Sequence, residues 1–372
     1  MATDFICLDP RKAKRRSIAD ALAGLGPVRW LKLAPMRLRG YPETATVASE
    51  ALAMSKDRDR GVLRTRLTRW LYALQYNGAR ALFTARPDAV AVCWNGLNGT
   101  RRAFMQGARD AGARMLFFEL APLPGRITVD PNGVNFANSL PRDIAPYLAW
   151  THYHAPAPDA WRAAGRDIAQ RPADRAREAG SALPPLDAPF LFIPLQTPGD
   201  SQLRLFGGAF PTVEGFIDAL IAASAHLPDG WHLRVKEHPT APTSFAAKFA
   251  GLGNPRIFLD NGTDTFQQVA ASRGVITVNS SVGLESMFYD KPVVACGHCF
   301  WAVPGVAQQA ETPQALADLC TDPDALTYSP QARDAFMNML TQSYYPDKQQ
   351  AAPQIAERLQ GPDAYGFWEV QR

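Results

Sequence analysis

Between residues 189 and 296 the chain alternates short β-rich runs with segments of helical spacing, an order that few architectures accept. "FLFIPLQ" (190–196) reads as a buried strand and "TVEGFIDALIAASAHL" (212–227) as a helix. "WHLRVKE" (231–237) places Trp231, Leu233 and Val235 on one face of a strand and His232, Arg234 and Lys236 on the other. A helix over 243–252, a strand at 256–259, a helix over 264–272, a strand at 274–279, a helix over 282–290 and a strand at 292–296 follow. Strands separated by helix-length segments build βαβ units on a parallel sheet. The first half repeats the pattern more loosely, with strands at 5–8, 28–34, 89–96 and 114–120 and helices over 16–24 and near 100–111. In a chain of 372 residues this predicts two Rossmann-like α/β domains, over 1–155 and 189–345. Residues 156–188, rich in Pro, Ala, Arg and Asp, predict a linker with helical pieces, and 346–372 a segment packing back on the first domain.

Composition removes several function classes. A hydrophobic share of 47% with 20% charged residues supports a sizeable core. A formal charge of +4 is too mild for a dedicated nucleic-acid binder, so no nucleic-acid partner is expected. No apolar run approaches the ~20 residues that span a bilayer. The opening "MATDFICLDPRKAKRR" puts its apolar run before its basic cluster, the reverse of a secretory signal, and a cytoplasmic location is expected. Five scattered cysteines do not form a disulfide framework.

One pair of those cysteines imitates a thiol–disulfide exchanger: Cys296-Gly297-His298-Cys299. A redox pair needs its first thiol at a helix N-terminus, where the dipole favours thiolate. Here the motif ends a strand, and Pro304 and Gly305 make a poor helix start after it. A zinc site would need a second Cys/His pair at suitable spacing, and His152 and His154 are far away. The motif is read as a strand end with two incidental thiols, and no metal ligand is assigned.

Strand ends carry the chemistry. Lys236, His238 and Pro239 close "VKEHP" (235–239), where a cation and an imidazole can hold a phosphate and protonate a departing oxygen. Taken alone, a loop histidine in a rigid turn is the simpler explanation. Asn279, Ser280, Ser281, Gly283 and Glu285 in "NSSVGLE" (279–285) combine two hydroxyls, a helix start and a glycine that admits a close ligand. Glu285 there could reach ribose hydroxyls, and a serine N-cap is compatible with all of this. "PLQTPGDSQ" (194–202) ends a strand at Gln196, breaks it at Pro198 and Gly199, and sets Asp200 in the loop before Gln202. A loop carboxylate suits nucleophilic or base chemistry, and equally a turn. In the first half, Glu119 ends a strand after two aromatics, where burial could raise its pKa, or where it could equally be a strand-end carboxylate left in solvent. Trp94 and Asn95 end another strand, and Trp94 could stack on a sugar or base or sit in the core.

Each signal is weak alone, but their order is not. A strand-end Glu before "DPNGVN", then Gln-x-x-x-Asp-Ser-Gln, Lys-x-His-Pro, Asn-Ser-Ser-x-Gly-x-Glu and "KPVV", from Trp94 to Trp301, resembles the capsular polysaccharide biosynthesis/export family, which includes β-Kdo transferases of the KpsC and KpsS type. The resemblance implies the GT-B architecture, with an active site in the cleft between two Rossmann-like domains. It implies a metal-independent, retaining, β-linking glycosyltransferase that takes CMP-Kdo as donor substrate and uses no separate cofactor. By that match Lys236, His238, Ser280 and Ser281 hold the phosphate, with Pro239, Asn279 and Gly283 in the same site, and Glu285 lies near ribose or cytosine. Asp200 is the carboxylate nucleophile and Glu119 the acid/base that activates the acceptor hydroxyl. Gln196, Gln202, Trp94 and Asn95 contact substrate. The paired cysteines depart from the family's pattern at Cys296–Trp301.

Two other readings stay open: a GT-B transferase with another donor, such as a UDP-sugar or CMP-sialic acid, and a non-catalytic capsule assembly or export factor. The expected partners are a nucleotide-sugar donor and a lipid-linked glycan acceptor. The stretch "KDRDRGVLRTRLTRWLYAL" (56–74) bears on the latter: residues 56–69 carry six Lys/Arg against two Asp, and aromatics follow. A basic helix with aromatics can lie on an anionic membrane, so peripheral association with the inner membrane or a capsule assembly complex is a further expectation beside a plain solvated face.

Overall fold

The computed structural model describes residues 3–55, 61–169 and 183–360. Two compact units divide the chain: 1–121, 125–140 and 339–372 form the first, and 122–124 and 141–338 the second.

The first unit is built on β1 (Phe5–Leu8), β2 (Val28–Leu31), β3 (Val90–Trp94), β4 (Arg114–Leu120) and β5 (Ile127–Asp130) in the order β2-β1-β3-β4-β5. All pairs are parallel except β4 with β5. The run VAVCW of β3 is buried along its whole length, the pattern of a parallel strand covered on both faces. Helices α1 (Lys12–Ala21), α2 (Thr44–Ala53), α3 (Val62–Thr84) and α4 (Gly99–Asp110) surround this sheet in sequence. Gly107 lets α4 press onto α3, since a Cβ there would lie 2.6 Å from the Tyr76 carbonyl oxygen. The strand order reverses between β1 and β3, so the crevice of this sheet opens beyond Leu8 and Trp94.

The second unit starts with α5 (Ala145–His154) and is built on β6 (Phe190–Pro194), β7 (His232–Lys236), β8 (Ile257–Leu259), β9 (Gly274–Thr277), β10 (Val293–Ala295) and β11 (Gln308–Gln309). The connecting helices are α6 (Ser201–Phe206), α7 (Val213–Ser224), α8 (Ala246–Ala250), α9 (Thr265–Ala271), α10 (Ser281–Ser286), α11 (Pro313–Thr321) and α12 (Pro330–Met339). The sheet runs β11-β10-β9-β6-β7-β8, parallel throughout. Counted from β6, this is the Rossmann order 3-2-1-4-5-6, whose switch point falls between β6 and β9. Both units are therefore Rossmann-like α/β sheets, the fold class expected.

The domain boundaries differ from expectation. The chain enters the second unit at Pro141, not after a linker at 188, and returns at Met339. Residues Ala160–Gly165 form a 3-10 turn whose Trp161 is 1% exposed and donates its indole N–H to Asp334 at 2.7 Å. That anchor makes the described part of the expected linker a packed piece of the second unit; residues 170–182 lie outside the described residues. The last described helix, α13 (Ala352–Arg358), supplies Ile355 to the core of the first unit beside Phe5, Val92 and Val129. The aromatic end of the tail, 361–372, lies outside the described residues.

β7 shows how a two-faced strand is buried. Trp231, Leu233 and Val235 enter the main core as expected. The polar face is buried too, because a central parallel strand is covered on both sides. Arg234 pairs with Asp260, Lys236 donates to backbone carbonyls, and His232 stacks on Phe190 at 5.4 Å and meets Phe258 edge-on at 5.5 Å. Burial first, and Arg234 second, push the His232 pKa from 6.5 down to about 4. The sign follows: His232 is neutral when folded and takes up a proton when unfolded between those values, so stability is present above pH 6.5 and is lost as pH falls towards 4. Urea unfolding of wild type and His232→Phe at both pH limits should show the variant losing less, by on the order of 3 kcal/mol at most. Equal losses would show that His232 does not titrate in this window.

Candidate functional site

At the carboxyl edge of the second sheet, the ladder between β6 and β9 stops at Phe192 and Val275. Four residues further along each strand, side chains take over. Gln196 donates Nε2–H to Asn279 Oδ1 at 2.9 Å, and the Asn279 N–H donates to Gln196 Oε1 at 3.2 Å. Asn279 Nδ2 donates to the Gln202 carbonyl at 3.1 Å. Gln196 and Asn279 are buried, and this reciprocal pair bridges the switch point. It ties the Thr197–Gln202 loop to the β9–α10 turn, so both residues act as scaffold for the loops around them. Gln202 joins the same knot through its backbone.

The β9–α10 turn carries Ser280 as N-cap, its Oγ accepting from the Val282 N–H at 3.3 Å. Ser281 is half-buried at the first helical position. Gly283 departs from expectation. A Cβ there would lie 2.6 Å from the Trp301 indole, so the glycine makes room for Trp301 rather than for a ligand. Glu285 is buried one turn into α10, where with Asp264 it adds to the burial that raises the Tyr289 pKa.

The end of β7 is anchored by Lys236, whose Nζ donates to the carbonyls of Asn261 at 3.0 Å and Thr263 at 2.5 Å. Two of its three N–H donors hold the turn after β8, so its phosphate-binding role meets a competing structural one. Asn261 and buried Glu237 exchange two further hydrogen bonds across that turn. His238 follows, half-buried, and Pro239 sets the turn that places Thr240 beside the ring. The Thr240 N–H donates to Nδ1 at 3.2 Å, with its hydroxyl 3.0 Å from the same nitrogen. A backbone N–H can only donate, so the neutral imidazole carries its proton on Nε2. His238 is thereby set up as a donor through Nε2.

Asp200 follows Gly199, which has φ +76°, and caps α6: Oδ1 accepts from the Gln202 N–H at 2.9 Å. The turn-stabilising reading of this carboxylate is therefore realised at one oxygen.

Glu119 lies at the crevice edge of the first sheet. Its Oε1 accepts from Trp94 Nε1 at 3.1 Å and the Leu120 N–H at 3.0 Å, and its Oε2 from Asn95 Nδ2 at 2.8 Å. Asn95 adopts φ 69°, and its Oδ1 accepts from the Leu97 N–H, which fixes the amide facing Glu119. Trp94 is 1% exposed and belongs to the core, with Lys14 Nζ 4.8 Å from its ring centroid. It orients Glu119 through its N–H instead of stacking on substrate, as does Asn95 through its amide. Lys14, beside the Trp94 ring, and Thr240, beside the His238 ring, carried no signal in the sequence.

Cys296 and Cys299 are buried, and burial pushes both thiols well above their ordinary pKa, so neither is a thiolate. Among the described residues no cluster of His, Cys, Asp and Glu could hold a metal ion. The structure thus gathers Gln196, Asp200, Gln202 and Asn279 into one bonded knot, with Ser280 next in chain. It sets His238 at the end of the neighbouring strand and groups Trp94, Asn95 and Glu119 in the other unit.

Among curated proteins the chain is similar to protein FixF of Sinorhizobium fredii, 29% identical over 56% of this chain and 48% of that one. It is also similar to the capsule polysaccharide modification protein LipB of Neisseria meningitidis, 27% identical over 32% of this chain and 30% of LipB. The matched parts thus span about half of FixF and under a third of LipB. Among solved structures, the Thermosulfurimonas dismutans KpsC β-Kdo 2,7 transferase is 14% identical with a TM-score of 0.49, over 95% of this chain and 99% of that one. The family model named capsule polysaccharide biosynthesis protein matches residues 151–342, more than half of the chain and nearly all of the second unit. With that match covering more than half of the chain and spanning β6 to β11, the chain belongs to the capsule polysaccharide biosynthesis protein family.

Proposed function

We propose that the protein is a glycosyltransferase of capsular polysaccharide assembly that transfers Kdo from CMP-Kdo, with retention and without a metal, to a lipid-linked or glycan acceptor. One observation carries the reading: in a chain of this family, β9, β6 and β7 are adjacent, and their carboxyl ends set Ser280, the Gln196–Asp200 loop and His238 along one edge at the switch point. In this reading Ser280, Ser281 and the Nε2–H of His238 hold the CMP phosphate; the Nε2–H donates a hydrogen bond to the departing phosphate oxygen and keeps its proton, because Nδ1 already accepts from the Thr240 N–H. Lys236 contributes its charge while holding the loop. Asp200 attacks the anomeric carbon as the C–O bond to phosphate breaks, and the acceptor oxygen then displaces the carboxylate. Glu119 takes the proton of that acceptor hydroxyl, its carboxylate aimed by Trp94, Asn95 and the Leu120 N–H. The work happens at the cytoplasmic face of the inner membrane, where a lipid-linked acceptor resides.

Thermal unfolding with CMP, UDP, GDP and ADP, each without metal, tests the donor class, since a ligand that binds only the folded state raises its stability. At a hundred times its dissociation constant CMP adds about 2.7 kcal/mol. A shift with CMP alone that His238→Ala abolishes is the expected result. A shift with UDP instead would turn the assignment to a different nucleotide sugar, and none at all would favour an assembly factor without catalysis.

A further inference from the structure

Ten large apolar or aromatic side chains are exposed among the described residues, and eight of them lie on two segments of the first unit. Val62, Leu63, Leu67, Trp70 and Leu71 crowd the N-terminal turns of α3. Leu33, Met36 and Leu38 lie on the loop after β2. Leu63 and Leu38 are each more than 80% exposed, a state water does not favour for a leucine without a further partner.

The two segments form one face. Along α3, Leu63, Leu67, Trp70, Leu74, Asn77 and Gly78 recur at intervals of three and four residues, or one after another, and so share a side of the helix. Over the first part of this stripe Leu63, Leu67 and Trp70 are exposed among the described residues. Over its last part the loop lies on it: Asn77 Nδ2 donates to the Arg37 carbonyl at 3.4 Å, the Ala34 N–H donates to Gln75 Oε1 at 3.0 Å, and the Pro35 carbonyl sits where a Cβ of Gly78 would be. The loop seated there carries its own exposed apolar side chains, Leu33, Met36 and Leu38. From Leu63 to Gly78 the helix rises roughly 22 Å, so the surface is long as well as apolar.

Among the described residues its charge has one sign. Arg64, Arg66 and Arg69 are exposed on α3, and Lys32 and Arg39 on the loop. The sequence has no Asp or Glu from 21 to 42 or from 61 to 87. Leucine, methionine and tryptophan interleaved with arginine suit a layer that offers anions at its surface and hydrocarbon beneath. A nucleic acid would match the charge and leave the leucines without a use. We propose that this face of α3 and the 32–39 loop docks on a membrane surface containing anionic lipid. The inference stands on the first unit alone and does not depend on the donor assigned above.

The test is co-sedimentation of the full chain with vesicles of phosphatidylcholine alone, or of phosphatidylcholine with phosphatidylglycerol, at low and high salt. Binding to the anionic vesicles, weakened by salt, is expected. At about 1 kcal/mol per basic residue near the surface, Arg64→Gln with Arg66→Gln and Arg69→Gln should weaken it roughly a hundredfold. Leu63→Ser with Leu67→Ser should weaken it at least about tenfold and remove the binding that survives salt. All five positions are exposed, and an unchanged melting temperature verifies that the variants fold. No binding to anionic vesicles overturns the proposal. So does wild-type self-association that Leu63→Ser with Leu67→Ser abolishes, which would assign the face to a second copy.

Discussion

Asp260→Ala is expected to cost about 3–5 kcal/mol of stability, the penalty for leaving a buried charge without its partner. Asp260 is fully buried and accepts from Arg234 Nε at 2.9 Å and Nη2 at 2.7 Å. Its other oxygen accepts from the N–H groups of Gly262 and Thr263 at 3.0 and 2.9 Å. Burial alone would raise its pKa, but the hydrogen bonds from Thr263 and Arg234, with the guanidinium charge, outweigh burial and lower it. The stability it contributes is therefore present above the ordinary carboxylate pKa and is lost as pH falls through the depressed one. Alanine removes the anion, strands Arg234 at 4% exposure, and frees the turn whose carbonyls receive Lys236. Urea unfolding measures the loss. Asp260→Ala with Arg234→Met should recover most of it, because an apolar replacement of both partners removes the uncompensated charge. A loss under about 1 kcal/mol, the scale of a surface pair, would contradict the buried-pair account.

Asp200→Asn separates the two readings of Asp200. Asparagine caps a helix about as well as aspartate, so α6 and the Gln196–Asn279 knot should persist and the melting temperature should hold within about 1 °C, as for a change under ~0.3 kcal/mol. An amide cannot form the glycosyl ester, so under the proposed function turnover of CMP-Kdo should fall by at least about a thousandfold, roughly 4 kcal/mol of barrier. The nucleotide shift should survive, since Asp200 is assigned no part in phosphate binding. If turnover stays near wild type, the carboxylate is a cap and nothing more, and retention by double displacement at this residue fails. If stability falls with turnover, the cap geometry itself demanded the acid.

The strands were legible because they repeat a simple rule. The runs at 190–196, 231–237 and 292–296 are β-rich and closely bounded by turn residues, and β6, β7 and β10 lie inside them. Site positions at the ends of those strands were legible for the same reason, since a parallel sheet delivers its strand ends to one edge. What each side chain does there was not. Gln196 and Asn279 are 83 residues apart in sequence, and their mutual bonds depend on β6 and β9 meeting at the switch point. Trp94 looked able to stack, but its ring packs among Phe118, Val129 and their neighbours, and only its N–H reaches Glu119. Gly283 looked like an opening for a ligand, and only the packing of Trp301 shows what fills the space. The boundary errors share this origin. Trp161 binds 155–169 to the second unit through Asp334, a contact across 173 residues that local composition does not announce.

The first unit takes Ala351 and Ile355 into a core whose other members lie between Phe5 and Val129. Synthesis runs from one end of the chain to the other, so this core cannot close until α13 has left the ribosome. The second unit, nearly continuous from 141 to 338, is complete before then. Translation order and maturation order are thereby inverted: the second unit can reach its native state on the nascent chain, while the unit begun first waits, partly assembled, for its closing piece.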